Sequence, residues 1–296
     1  MVSDKETPFN VLSFDVEEWF QVGNFKPYIK TDDWKNKESR VEIGIDYILD
    51  VLDERDIKAC FFMVGWVAQR HPEMIRKIDF CGHEIGIHGM MHQHITNQTP
   101  RQFQDDITTC IKVVSDIISK PIEGYRAPSY TVNRETIWAL DILREAGILF
   151  DSSVYPISGH PVYGLPGAPT FPFRLDNGLY EFPIATFQIL NKVLPFASGA
   201  YFRLVPYPVT RALMRTRNKR CEFVTINIHP WELDPNQEVQ KVDRAARFKH
   251  YVNLSKNRAK FEQLAADFHF TTYRQLIDRH HFPVYKKQQD GSLVRS

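Results

Sequence analysis

His88 and His92 stand four residues apart in the stretch 82–92, Gly-His-Glu-Ile-Gly-Ile-His-Gly-Met-Met-His. On a helix of ~3.6 residues per turn, that spacing brings two ring nitrogens towards one point. Imidazole is the commonest protein ligand for zinc and its first-row neighbours. A catalytic zinc site takes three protein ligands and leaves a position open, so a third ligand is needed. The segment 13–19 carries Asp15, Glu17 and Glu18. Carboxylates this close repel one another unless a cation or proton intervenes. On extended chain Asp15 and Glu17 project to one face. One can then bind a metal while the other acts as general base. Glu17 with His88 and His92 makes a His-His-carboxylate set. His83 falls at the wrong spacing to share a face with His88, and His94 reads as a surface or supporting residue.

Two further segments carry chemistry. Arg126, in 124–130, is suited to holding a carboxylate in place and keeping its pKa low. His229 ends an apolar run at 226–228 and precedes Pro230, which places it at a strand terminus. There it can protonate a leaving amine as general acid. A neighbouring carboxylate would keep it charged, and Asp151, also at a strand end, is the candidate partner.

The elements that must position these residues alternate. The pattern predicts strands at 10–14, 59–64, 84–87, 124–126 and from 149 to Asp151, and again at 222–228. Helices are predicted over 41–55, 67–79 with a break at Pro72, 99–119, 134–146 closed by Gly147, and 243–268. Thr99 followed by Pro100 is a helix start. This β-α-β-α rhythm argues for an α/β fold with a parallel sheet wrapped by helices. Asp15, His88, Arg126, Asp151 and His229 each follow a short apolar run, and α/β barrels gather their sites at the C-terminal ends of strands. One domain over 1–296 is expected, with a motif-bearing core at about 9–155 and 221–282. Between them, 156–220 reads as an irregular insert rich in aromatic residues, and the polar tail from Lys286 reads as frayed.

The whole chain sets bounds. Its 296 residues can bury a substantial core. A net charge of +1 argues against nucleic acid or an anionic membrane as partner. The basic run 211–220 reads as a solvated helix face. Cys60, Cys81, Cys110 and Cys221 form no CxxC pair and read as free thiols, which favours a reducing compartment. The first residues contain no apolar h-region, and no window is apolar enough for a transmembrane helix, so a cytoplasmic location is the default expectation.

Taken in order, Ser13-Phe14-Asp15, His88-x-x-x-His92, Arg126-Ala127-Pro128-Ser129-Tyr130 and His229-Pro230 resemble the motifs of the polysaccharide deacetylases of carbohydrate esterase family 4. The strings at 15–22, 150–153, 199–203 and 229–235 are similar to a subgroup of bacterial deacetylases linked to exopolysaccharide and cell-surface glycan gene clusters. The resemblance implies a distorted (β/α)7 barrel that removes acetyl groups from an N-acetylated sugar polymer or glycan precursor with Zn2+ or another divalent transition metal. It implies Asp15 as base, Arg126 orienting it, His88 and His92 as metal ligands, and His229 as acid tuned by Asp151. The family motif has two adjacent aspartates, base then ligand. Here Val16 follows Asp15 and cannot bind metal, so Glu17 is the substitute and Glu18 the second choice. Tyr130 and Trp231 are the candidate sugar-stacking residues. Two rivals are an amidohydrolase of the same scaffold acting on a cyclic imide, ureide or formamide, and a non-catalytic glycan-binding barrel. The joint presence of Asp15, Arg126 and His229 argues against the second, since binding alone requires neither base nor acid.

Overall fold

The computed structural model describes residues 10–160, 162–190, 192–220 and 222–296. The N-terminal segment and the Cys221 thiol lie outside the described residues. The strands are β1 (Asn10–Val16), β2 (Cys60–Met63), β3 (Glu84–Ile87), β4 (Gly124–Tyr125), β5 (Phe150–Asp151), β6 (Phe173–Leu175), β7 (Tyr180–Glu181), β8 (Thr186–Ile189), β9 (Lys192–Pro195), β10 (Thr225–Ile228), β11 (Phe270–Thr271), β12 (Val284–Lys287) and β13 (Leu293–Arg295). The helices are α1 (Val41–Asp53), α2 (Gly65–Arg70), α3 (Pro72–Phe80), α4 (Pro100–Ile118), α5 (Ala139–Glu145), α6 (Gly199–Leu204), α7 (Tyr207–Lys219), α8 (Arg244–Tyr251), α9 (Leu254–Asp267) and α10 (Tyr273–Arg279).

Seven strands run parallel in the order β10-β1-β2-β3-β4-β5-β7. Parallel strands covered by helices are buried on both faces and read as continuous apolar runs. β1 fits this description, with every residue buried. The open side of the sheet is closed by irregular chain: Ala185 N donates to Thr225 O (3.2 Å) and Asn227 N to Ala197 O (2.8 Å). The result is a distorted (β/α)7 barrel. Its helices follow the sequence closely where the apolar period is strong. α4 buries Phe103, Ile107, Cys110 and Val114 along one stripe, and Thr99 and Gln102 form its capping box.

Three expectations need correction. The stretch read as an irregular insert supplies β6 and β7 to the main sheet, and β7 is a barrel strand pairing with β5. Two-residue strands such as β7 are too short to show a period in sequence. The C-terminal tail is ordered: β12 and β13 form an antiparallel hairpin, and β12 pairs with β6. Gly291, at φ 76°, gives the left-handed turn the hairpin requires. The helix expected over 134–146 begins only at Ala139, because Asn133 Oδ1 accepts from the amides of Glu135 and Thr136 and makes a turn of the first residues. Cys60 and Cys110 are buried free thiols, as expected. No described helix is long and apolar enough to cross a membrane.

One packing contact ties the outer layer to the strand ends. A Cβ added at Gly44 of α1 would lie 2.2 Å from the carbonyl oxygen of Pro230. Both partners are backbone on one side and helix on the other, so neither can give way cheaply. Gly44→Ala is therefore expected to destabilise the fold by about 1–3 kcal/mol, the usual range for overpacking. Urea unfolding of the two proteins side by side measures it, and equal midpoints would contradict the contact.

Candidate active site and metal centre

The C-terminal ends of β1, β3, β4 and β10 bring Asp15, Glu17, His88, His92, Arg126, Asn227 and His229 together. All but His229 are almost fully buried, and the His229 side chain is 15% exposed. It is therefore the member of the group open to an incoming molecule.

Glu17, His88 and His92 each offer a ligand atom, and these atoms lie within 4.8 Å of one another. Glu17 Oε2 is 2.7 Å from His92 Nε2. The two rings are held in matching tautomers. His88 Nδ1 lies 2.7 Å from the Arg126 carbonyl oxygen, and His92 Nδ1 lies 3.0 Å from that of Gln21. A carbonyl can only accept, so each Nδ1 carries a proton, and Nε2 is the ring atom each histidine turns towards Glu17 and Asp15. This is the outer-shell arrangement that fixes metal-binding histidines. Burial holds His88 down at about 4, against the pull of Asp15, so its ring is neutral. The donor set fits a divalent transition metal.

The histidines do not meet on a helix, as their spacing suggested. His88 follows β3 directly and 88–94 is irregular. Gly89 (φ 75°) and His92 (φ 50°) are left-handed, and they fold the loop back so that the ring centroids come within 5.0 Å. A loop, not a helical turn, brings the two histidines together.

Asp15 is held on both oxygens. Oδ1 accepts from Arg126 Nη1 (2.8 Å) and Oδ2 from Asn227 Nδ2 (2.7 Å). Burial alone would raise its pKa, but the Arg126 guanidinium and the charged His229 outweigh burial and lower it. Asp15 is thus a carboxylate at neutral pH. Its Oδ2 lies 3.8 Å from His88 Nε2 and 3.7 Å from His229 Nε2. Glu17 is likewise lowered, with burial overcome chiefly by His92 and His229. Glu18 turns away. It accepts from Ser39 Oγ and from Arg40 N (3.1 Å), and burial raises its pKa. The acidic residue beside the histidines is Glu17.

His229 donates through Nδ1 to Glu232 Oε2 at 2.8 Å. Glu232 is gripped from behind by the buried Arg203, Nε to Oε1, at 2.6 Å. Burial would lower the pKa of His229, but Glu232, Glu17 and Asp15 hold it up at about 9. It is therefore protonated at neutral pH, with Nε2 directed at Asp15 and Glu17. One cluster thus contains a carboxylate able to take a proton, an imidazolium able to give one, and three side chains that could hold a metal ion.

Comparison with known proteins bears on this geometry. Residues 33–149 match the polysaccharide deacetylase family, and residues 152–278 match a domain of unknown function, DUF3473. A peptidoglycan deacetylase-like protein of Gibberella zeae is 32% identical over 120 residues, 40% of this chain and 34% of its own length. Chitin deacetylase 1 of Cryptococcus neoformans is 26% identical over 182 residues, 52% of this chain and 38% of its own. The chain resembles polysaccharide deacetylases over residues 33–149. It spans about a third to two fifths of the length of the curated relatives it matches. Among solved structures, a Mycobacterium smegmatis protein assigned as a polysaccharide deacetylase aligns with a TM-score of 0.62 and 20% identity, over 95% of this chain and 92% of that one. PuuE allantoinase aligns with a TM-score of 0.58 and 15% identity, over 92% and 91%. These likenesses establish the shared barrel.

Three sequence-based assignments are corrected. Asp151 does not touch His229. Its Oδ1 accepts from Ser153 Oγ, and it faces Glu181, its register partner on β7. The strand concealed in the supposed insert stands between β5 and β10 and takes Asp151 for itself. Trp231 offers no open face to a sugar. It is 6% exposed, its indole donates to Glu17 Oε1 (3.1 Å), and it stacks flat on His250. Tyr130 is also buried, with its hydroxyl against Asn227 Nδ2 (2.7 Å) and Ser198 Oγ (2.9 Å). Sequence reasoning missed Asn227, Glu232 and Arg203. A signal existed for Glu232. His-x-x-Glu before a helical turn has the form of a capping box, and Glu232 Oε2 does accept from the His229 amide at 2.9 Å.

The displaced Asp151 generates a test. Asp151 Oδ2 and Glu181 Oε2 are buried without an amide, hydroxyl or cation donor, an arrangement that keeps a shared proton. Burial raises both pKa values, and the charge of Asp151 raises that of Glu181 further. The folded chain therefore keeps a proton that the unfolded chain releases above about pH 4. The pair's contribution to stability falls as pH rises from there towards neutrality, because at this pair the folded state binds more protons. In Glu181→Gln an amide supplies the hydrogen permanently. Its stability relative to the parent should rise between pH 4 and 7 in urea unfolding, whereas parallel curves would refute the shared proton.

Proposed function

We propose that this protein is a metal-dependent N-deacetylase acting on an N-acetylated polysaccharide or cell-surface glycan, including exopolysaccharides and their precursors, with release of acetate. The observation that carries this reading is the convergence of Glu17, His88 and His92 beside an ionised Asp15 and a protonated His229. The polysaccharide deacetylase match over 33–149 and relatives named as a peptidoglycan deacetylase-like protein and a chitin deacetylase support the substrate class.

Glu17, His88 and His92 would hold Zn2+ or another divalent transition metal, whose Lewis acidity polarises an amide carbonyl and acidifies water. Asp15 takes the proton of the attacking water on a free lone pair of Oδ2. Arg126 and Asn227 hold that carboxylate still and keep it ionised. His229 gives the Nε2 proton to the departing sugar nitrogen, so that an amine leaves and not an amide anion. Glu232, fixed by Arg203, keeps His229 charged and correctly turned. Asp15 and His229 thus act as a base and an acid whose environments push their pKa values apart.

The test is an acetate-release assay on N-acetylated chitooligosaccharides and peptidoglycan fragments. Chelation should abolish activity and added metal restore it. Asp15→Asn and His229→Ala should each lower kcat by about 10²–10⁴-fold, the usual contribution of a positioned acid or base. His92→Ala should lose metal, while Glu18→Gln should keep it. Full activity in Asp15→Asn would refute the base. Hydrolysis of a ureide with no acetate released from any glycan would favour the allantoinase-like rival.

A further inference from the structure

Replacing the family's adjacent aspartate by Glu17 creates a positional difficulty. Glutamate carries one more rotatable bond than aspartate, and its free carboxylate has more places to go. Val16 cannot restrain it, since that side chain is fully buried in the core. Something else must hold the carboxylate beside His92.

Its two oxygens are divided between different neighbours. Oε2 lies 2.7 Å from His92 Nε2, on the side of the histidine pair. Oε1 accepts from the indole Nε1 of Trp231 at 3.1 Å and lies 3.7 Å from His229 Nε2. The indole is itself immobilised. His250 stacks on one face, at 4.2 Å between centroids and 9° between planes. On the ring's own segment His229 lies 5.5 Å away at 24°. His250 is fully buried, and its Nε2 is paired with Gln237 Oε1 at 2.8 Å. Gln237 Nε2 in turn donates to the carbonyls of Trp231 and Asp234, which closes the loop on the backbone that carries the indole. His250 and Gln237 do not touch Glu17, yet both bear on where it points, through the indole they hold.

We infer that Trp231 is a positioning residue for the metal-binding carboxylate: by engaging Oε1 it leaves Oε2 as the oxygen that Glu17 presents to the ion, with His250 and Gln237 holding the indole in register. This rests on the metal-dependent reading proposed above. It assigns a role to the His-Pro-Trp-Glu string in which each polar side chain has its own task. His229 faces the substrate, Trp231 orients Glu17, and Glu232 orients His229.

The experiment is a calorimetric titration of the metal-stripped full chain with Zn2+, repeated with Co2+. Trp231→Phe keeps the ring and its stacking but removes the N–H, and should bind metal about 10–100-fold more weakly, the usual cost of losing an outer-shell partner. His250→Ala, which removes only the ring behind the indole, should weaken binding in the same direction but less. Circular dichroism and melting of the metal-free proteins check that each variant is folded. If Trp231→Phe does not fold, His250→Ala decides alone. Parental affinity in the folded variants overturns the role of Trp231 while leaving the metal reading intact. Failure of the parent chain itself to bind, or binding unaffected by His92→Ala, overturns the metal reading instead.

Discussion

The Arg126 guanidinium is the interaction on which the rest of the site depends. It is completely buried, and burying a charge is costly unless every polar hydrogen finds a partner. Arginine has five N–H donors, and here all five are used. Nε donates to Ser152 O, Nη1 to Asp15 Oδ1 and Asn227 Oδ1, and Nη2 to Ser152 Oγ and the Tyr273 hydroxyl, all at 2.8–3.0 Å. Its flat face lies over the Phe62 ring, 4.3 Å from the centroid. These partners come from β1, β2, β10, the residue after β5, and the start of α10. One cation therefore stitches most of the barrel's upper rim, and it can do so only if those elements arrive in register. The carbonyl of the same residue accepts from His88 Nδ1, so Arg126 also sets the tautomer of His88.

A second constraint concerns backbone. His92, Ser129 and Tyr130 all have φ between 50° and 55°, a region that non-glycine residues seldom occupy. Such strain persists only where surrounding contacts over-determine it, and it gathers at functional sites. The contacts are visible in each case. His92 is tied to Gln21 through Nδ1, Ser129 Oγ to His94 Nε2 at 3.1 Å, and Tyr130 to Asn227 and Ser198 through its hydroxyl. These positions are held by groups that lie elsewhere in the chain: the Gln21 carbonyl and the side chains of His94, Asn227 and Ser198.

That distinction explains what could be read from sequence. Residues fixed by strong local pattern were legible: β1, α1 and α4, the strand-end positions of Asp15, His88, Arg126 and His229, and Glu17 chosen over Glu18 because of the two-residue alternation of extended chain. Relations set by tertiary register were not. Asp151 was matched to His229 because both end strands, and strand ends alone do not reveal that β7 intervenes. Asn227 looked like one more residue of an apolar run, and only the register Ser13↔Asn227 on β1 and β10 puts its amide on Asp15. In sequence alone Trp231 and Tyr130 have the look of sugar platforms, as aromatic residues near a site do. Burial shows instead that their polar ends face inward, towards Glu17 and Asn227.

The same geometry bears on how the two matched regions relate. The polysaccharide deacetylase match at 33–149 contains His88, His92 and Arg126, but neither acidic residue that would compensate them. Asp15 and Glu17 precede it. Asn227, His229, Glu232 and Arg203 all lie in the region matched by the domain of unknown function at 152–278. A guanidinium with five buried donors cannot be left with only the partners found in 33–149, because the donors facing Asp15, Asn227, Ser152 and Tyr273 would each lose an acceptor. The barrel is equally incomplete in that stretch, since β1, β5, β7 and β10 all lie outside it. The second region is therefore the other side of the barrel and of the site rather than an appended module. A function assigned to it has to include supplying the His229 imidazolium, together with the Glu232–Arg203 pair that holds it.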